Sequence, residues 1–425
     1  MPESIKRAFR GAFIFEWYYI VVIIAYILTV FSGAVRPGVT ASLLMVIVAL
    51  ELVVKKQISI KSVMDVLIVA YFTYKAASYF WLIKGGLPAR VYTGEAAVSL
   101  IPMIFYFAGR ACKGRIRNFY CKFIAALVIL GLVSLAFYII APQFYLDYLY
   151  AWSYMSKPDA ATMRVRMQSV MGCTLFGAIM VFGMCVGIYF LFAMGKDIKT
   201  KRDRILGIFT IVFTLFFAFM SNQRSSMVAG IVMLLYINIL LFTKFENIPR
   251  KYFVFEIAGI VILLVLVCLV RYDFIIKIWG RLSSLPTAVS ERSEQWVAAV
   301  NNMYSSWFGN GLGANGHKAL GIEGTHVIAD GGLIKAYCEE GVIGFSMFLY
   351  ILFLSVRKCL ANIKVSYAEL GVIIVGLLLS IGSNVLAFQL ATPIFWFAIG
   401  RIWDNPDADE RLSNKPAKSP RAKRF

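Results

Sequence analysis

Residues 324–345 read GTHVIADGGLIKAYCEEGVIGF. The right half runs on into the apolar stretch SMFLYILFLSV, long enough with it to cross a hydrocarbon core as a helix. The left half carries His326, one of only two histidines in the chain, and Asp330. Lys335, Glu339 and Glu340 lie in the first turns of the apolar run itself. Ionisable groups at that depth are costly and mark function by default. The stretch therefore predicts a rim of polar residues outside the membrane, followed by a span that descends from it.

Working outward, the same apolar pattern recurs from end to end. Hydrophobic residues make up 60% of 425 positions and the mean hydropathy is +0.75, against about 45–50% apolar in soluble domains. The fold class is all-α, a polytopic membrane protein. Twelve spans are expected at approximately 13–35, 39–54, 62–83, 94–111, 120–141, 171–195, 205–222, 224–243, 251–271, 331–355, 367–386 and 389–403. Residues 1–403 read as one integral domain. The basic N-terminus MPESIKRAFRGAF lacks a small-residue cleavage site after its first apolar run and reads as leading into an uncleaved span. The tail 404–425 is basic, Pro-containing and expected to be disordered beside anionic headgroups.

The chain holds 43 Lys+Arg against 23 Asp+Glu, a formal charge of +20. With the N-terminus inside, about 28 of these cations fall in inner segments and about 12 outside, as the positive-inside rule requires. The charge thus speaks for membrane topology and not for nucleic acid. Seven scattered cysteines form no CxxC pair or Cys/His cluster, so neither disulfides nor a structural metal are expected. Two outer segments are long: 142–170, rich in Tyr and Trp and expected to hold an interfacial helix, and 272–330, expected to form short helices packed on the membrane.

Several polar residues need a reason. Lys75 either snorkels or pairs with Asp65, which would take a kink or a further partner at that spacing. Glu51, near a span end, reads as interfacial. Arg224, in SNQRSSMVAG at 221–230, lies between two spans on the outer side. It reaches the headgroups or, in the sharper reading, holds an anion beside the hydroxyls of Ser221, Ser225 and Ser226, because a guanidinium grips phosphate oxygens in pairs and keeps its charge. Arg292 and Trp296 are four apart on an expected helix and share a face. GNGLGANG at 309–316 is either a flexible turn or a backbone that approaches a ligand closely through Gly311 and Gly313. His326 is an interface residue or a base, with Asp330 one helical turn on and placed to orient it if the helix begins early. Zinc patterns such as HExxH are absent.

The order of these pieces resembles the bacterial O-antigen polymerase and ligase superfamily (Wzy and WaaL types). The matching segments are SNQRSSMVAG at 221–230 and SERSEQW…WFGNGLGANG…THVIADGGLIKAYCEEGVIGF between 290 and 345, about a fifth of the chain. The resemblance implies a membrane glycosyltransferase (GT-C-like) fold in the bacterial inner membrane, with cytoplasmic termini and a periplasmic active site. It implies transfer of a glycan from undecaprenyl diphosphate to an acceptor hydroxyl, without metal or cofactor. Donor and acceptor would be undecaprenyl-diphosphate-linked oligosaccharides, and a polysaccharide chain-length regulator is a possible partner. Arg224 and Arg292 match arginines that hold the lipid diphosphate, and His326 matches the essential periplasmic histidine. Glu339, Gly341 and Gly344 match an E-x-G-x-x-G at the following span, with Glu339 expected to brace the helix start. A histidine with an aspartate four residues on, in place of a directly following Asn, points to a polymerase before a ligase. The alternatives are a ligase that delivers polymer to lipid A–core and, from another class, a twelve-span transporter or flippase. Against transport stand the lack of repeated halves and a polar cluster expected outside, not at mid-depth.

Overall fold

The computed structural model describes residues 13–32, 35–112, 115–140, 166–192, 201–241 and 285–403, with 147, 276, 279, 280 and 283 as isolated positions. These residues build helices without a strand among them. In chain order they are α1 (Ile14–Phe31), α2 (Pro37–Val54), α3 (Val63–Lys84), α4 (Ala89–Ala111), α5 (Ile116–Ile139), α6 (Cys173–Phe192), α7 (Lys201–Met220), α8 (Arg224–Leu240), α9 (Leu285–Asn301), α10 (Gly332–Ala361), α11 (Ile363–Gly382) and α12 (Ala391–Trp403). Nine of the described helices are long and apolar enough to cross a membrane. α8, with 17 residues, and α12, with 13, are shorter; at 1.5 Å per residue they reach about 26 and 20 Å against a hydrocarbon core of about 30 Å. Eleven expected spans thus have a helical counterpart, and the one at 251–271 lies outside the described residues, as does most of the 142–170 segment and the basic tail. The helix at Leu285–Asn301 belongs to the long segment before α10, not to the set of expected spans.

Local chemistry sets several helix ends. Ser62 caps α3 reciprocally: its Oγ accepts from the Asp65 amide at 3.3 Å while the Asp65 carboxylate accepts from the Ser62 amide at 2.7 Å. α4 starts earlier than expected, and its middle departs from α-geometry in a π turn at Ala96–Leu100 and a 3-10 turn at Ile101–Ile104. Pro102 sits in the second of these, where a missing N–H must be accommodated.

α6 is the axis of the bundle. Its apolar residues face protein on nearly all sides, with 89% of its span buried, whereas α2 and α3 bury 28% of theirs. A helix apolar all round belongs inside, and those with apolar residues still exposed face lipid. The crossing of α4 and α12 is close enough to bring backbones together: a Cβ on Gly109 would stand 2.2 Å from the Phe397 carbonyl oxygen, and one on Gly400 1.9 Å from that of Tyr106. Small residues at such crossings are the usual means of helix association in lipid.

The feature that positions the site is a break in α10. Gly341 has φ 63° and ψ −171°, which divides the helix into a first half, residues 332–340, and a second half from 342 onward. A break exposes carbonyls on one side and amides on the other, and in lipid neither can go unpaired. The segment before α10 satisfies both. Asn310 and Gly311 amides donate to the Cys338 and Glu339 carbonyls at 2.8 and 2.9 Å, and Val342 and Ile343 amides donate to the Ser306 and Trp307 carbonyls at 2.9 and 3.2 Å.

Candidate active site

The break explains the GNGLGANG sequence. Residues 311–316 are buried, wedged between α3, α4 and the first half of α10. Gly311 (φ 89°) lies against α3, where a Cβ would meet the Ser78 carbonyl oxygen at 2.8 Å, and Gly313 (φ 91°) against α4, 2.7 Å from that of Val91. The Leu312 amide donates to Ser78 Oγ at 3.1 Å, and the Asn315 amide to Glu339 Oε1 at 3.2 Å. These glycines do approach a backbone closely, but it is the protein's own; neither the flexible turn nor a phosphate cradle describes them. The E-x-G-x-x-G segment reads the same way. Glu339 stands at the end of the first half-helix and receives the loop, so it does not brace the helix start. Gly341 makes the break, and Gly344 leaves room for Tyr74, whose ring a Cβ there would meet at 2.4 Å.

Residues 326–328 leave the wedge without regular structure, the chain bends at 329 and 330, and α10 begins only at Gly332. His326 and Asp330 therefore do not share a helical turn, and the expected carboxylate–imidazole pair is not formed. Asp330 instead accepts from Arg292 Nη2 at 2.6 Å, while Trp296 Nε1 donates to the Asp330 backbone carbonyl at 2.8 Å. Both residues of the shared face on α9 thus bind Asp330. The ring of Trp296 lies over Gly331 (φ 121°), where a Cβ would come within 2.7 Å of Nε1. The Arg292 and Asp330 side chains keep 27% and 29% of their surface exposed, so the pair remains open to a ligand. His326 is held through its backbone, whose carbonyl accepts from Asn315 Nδ2 at 2.7 Å, and its half-buried ring makes no hydrogen bond among the described residues.

Arg224 opens α8 at the same end of the bundle. The turn 382–384 lies between it and the α9 pair: Gly382 packs on Ser225 with a would-be Cβ 3.0 Å from the serine Cβ, the Gly332 amide donates to the Ser383 carbonyl at 3.3 Å, and Asn384 Nδ2 donates to the Ile328 and Ala329 carbonyls at 2.7 and 3.1 Å. The serines do not all flank the arginine as expected. Ser221 Oγ donates to the Ala218 carbonyl at 2.6 Å, and Ser226 is fully buried against Gly177 of α6.

No protein-family model matches this chain, and no curated protein matches it.

Below the 328–332 segment lies a cavity of about 50 Å³ lined by charge that the sequence reading did not assemble. Lys75 from α3 pairs with Glu340 Oε1 at 3.0 Å, and Tyr71 donates to the same carboxylate at 2.8 Å. Lys335 is hydrogen-bonded to Glu95 of α4 and lies 3.5 Å from Glu339 Oε1. All five ionisable groups are buried. Lys75 thus finds its partner on another helix, and so does Asp65, which is bound by Arg110 and accepts from Tyr106 at 2.6 Å. Glu51 stays near the end of α2, pairing with Lys55 at 2.7 Å and accepting from the Ile14 amide at 2.7 Å. The signal that could have found the cluster was present: charges inside spans must pair, and Lys75, Glu95, Lys335, Glu339 and Glu340 are within expected spans. No group of three or more His, Cys, Asp or Glu side chains suited to a metal occurs among the described residues.

Proposed function

We propose that this chain is an O-antigen or related surface-polysaccharide polymerase. It would transfer a growing glycan from undecaprenyl diphosphate to the hydroxyl of a lipid-linked repeat unit, on the side of the membrane where α9 lies. The observation that supports the reading best is the part-exposed Arg292–Asp330 pair, anchored by Trp296 and joined through the 382–384 turn to the helix that Arg224 opens. The reading carries with it a twelve-span GT-C-like fold in the bacterial inner membrane, with both termini cytoplasmic.

The chemistry follows from charge. The donor's diphosphate becomes more negative as the bond to the anomeric carbon breaks, and fixed cations aimed at it lower the barrier. Before substrate arrives, Arg292 is occupied by Asp330. A diphosphate offers the guanidinium a stronger multidentate partner. Exchange of that partner frees the Asp330 carboxylate to accept a hydrogen bond from the incoming hydroxyl, and His326 is the second candidate for the proton. A single displacement inverts the anomeric configuration. The set contains no carboxylate pair committed to a covalent glycosyl intermediate, so one displacement is the simpler course.

A second reading gains from the structure. Buried charges around a broken helix are features of secondary transporters, and α10 breaks beside five buried ionisable groups. Purified protein in proteoliposomes with undecaprenyl-diphosphate-linked repeat units separates the readings. A polymerase yields elongated glycan and free undecaprenyl diphosphate from those units alone. A ligase needs lipid A–core before any product forms. A transporter moves the lipid-linked unit across the bilayer with no new glycosidic bond.

A further inference from the structure

The cavity between α3, α4, the first half of α10 and the 384–387 turn has a feature that glycan transfer does not use. Its lining includes Lys75, Lys335, Glu95, Glu339 and Glu340. With all five ionised, three carboxylates face two ammonium groups, one negative charge in excess. A buried charge without a counter-charge is costly. The break in α10 adds to the excess, because a half-helix ends at Glu340 with the negative pole of its dipole.

The hydrogen bonds show where the excess is felt. Asn384 is 4% exposed and lines the same cavity. Its Nδ2 donates to the Ile328 and Ala329 carbonyls, which fixes the amide's orientation, since the flipped amide would set oxygen against two oxygens. Its Oδ1 is buried and accepts from nothing. Glu339 takes the Asn315 amide and Lys335 on Oε1, and Glu95 takes Lys335 on Oε1. Glu339 also takes a backbone hydrogen bond from Gly313. Acceptors from three elements thus surround one space, and the Asn384 oxygen among them has no donor.

We infer that this cavity, which Asn384, Glu339 and Glu95 line together, is a binding site for one small monovalent cation such as sodium. The all-oxygen donor set is that of a hard cation. One positive charge neutralises the excess, whereas a divalent ion would overturn it, and two carboxylates fall short of a divalent site. The size agrees. A cavity of about 50 Å³ holds one or two water-sized occupants. It excludes a sugar ring, since a cavity of roughly 150 Å³ is what benzene fills. The cation would bridge α4, the first half of α10 and the 384 turn, and so tie the broken helix to the segment that carries Asp330. The inference does not rest on the proposed reaction, and its test needs no glycan.

The test uses the purified full-length chain in detergent and ²²Na⁺ as the probe, with choline chloride holding ionic strength constant. We expect saturable binding of one ion per chain, competed by unlabelled sodium and not by choline, and a melting temperature that rises with sodium and then levels off. Glu339→Gln keeps an acceptor for the Asn315 amide and removes the excess charge. It should melt no lower than wild type in choline, yet bind sodium at least 10-fold more weakly. Asn384→Ala should weaken sodium binding as well. Absence of saturable ²²Na⁺ binding, or binding unchanged in both variants, overturns the inference. So does a melting temperature that follows pH but not sodium, because the neutralising charge would then be a proton on a carboxylate.

Discussion

Replacing Gly341 with alanine tests whether the break in α10 is held by the segment that enters it. Gly341 sits at φ 63°, ψ −171°, a conformation that costs a residue with a Cβ about 1–3 kcal/mol. The added methyl would also stand 2.4 Å from the Trp307 carbonyl oxygen and 2.5 Å from the Gly309 amide nitrogen. Both are backbone atoms, so the helix and the wedge must separate. Four hydrogen bonds join them, at 2.8, 2.9, 2.9 and 3.2 Å. Losing two, at about 0.5–1.5 kcal/mol each, brings the total to about 4 kcal/mol. At roughly 2 °C per kcal/mol for a long chain, the melting temperature should fall by about 8 °C. Gly324→Ala is the control, because Gly324 has φ 75° but nothing within 4 Å of its would-be Cβ, which leaves only backbone strain of about 1–2 kcal/mol. Purified proteins would be melted at one scan rate, since unfolding in detergent is often irreversible, and digested with proteinase K to follow cleavage within residues 305–316. Equal losses in the two variants, or a wedge no more open to protease in Gly341→Ala, would refute the reasoning.

Other perturbations have distinct signatures. Lys75→Met leaves the Glu340 carboxylate buried without its cation and should cost about 3–5 kcal/mol, while Lys75→Met with Glu340→Met should recover most of it in thermal denaturation; a double variant as unstable as the single would show that the pair is not what the charge is for. Gly313→Ala should destabilise the chain by roughly 1–3 kcal/mol through its contact with the Val91 carbonyl, while the folded fraction binds donor lipid with unchanged affinity. His326→Ala should leave the melting temperature within about 1 °C, since the ring holds no partner. If His326 takes the acceptor's proton, turnover should drop about 10²- to 10⁴-fold; retained turnover assigns the proton to Asp330.

The layers of the fold were legible where lipid imposes a single rule. Eleven expected spans meet described helices because a long apolar run in lipid has few other structures open to it. The ends were less legible. α4 begins at Ala89 and α5 at Ile116, each several residues before expectation, because polar residues that a hydropathy run leaves out can still occupy the first turn of a helix. The residues of the candidate site were legible singly: Arg224, Arg292, Trp296 and Asp330 stand at one end of the bundle. Their pairing was not. Whether Asp330 turns to His326 or to Arg292 depends on where α10 begins, and that is fixed by Gly331 under Trp296, a contact across 35 residues of chain. The break in α10 was hidden for a similar reason. EEGVIG suits a continuous helix locally, and only the arrival of residues 306–311 makes an interrupted one affordable. The five buried charges lay in plain view as unexplained polar residues, but pairing them across α3, α4 and α10 needed the packing.

The central claim is that Arg292 and Arg224 act on a diphosphate leaving group, and release of undecaprenyl diphosphate from reconstituted protein tests it most directly. Wild-type protein supplied with lipid-linked repeat units should release one undecaprenyl diphosphate for each glycosidic bond formed, with EDTA present or absent. Arg292→Ala and Arg224→Ala should each lower that rate by about 10²- to 10³-fold while the melting temperature stays near wild type. Release at the wild-type rate in both variants, or no release from the wild type under conditions where it moves intact lipid-linked units across the bilayer, would contradict the account.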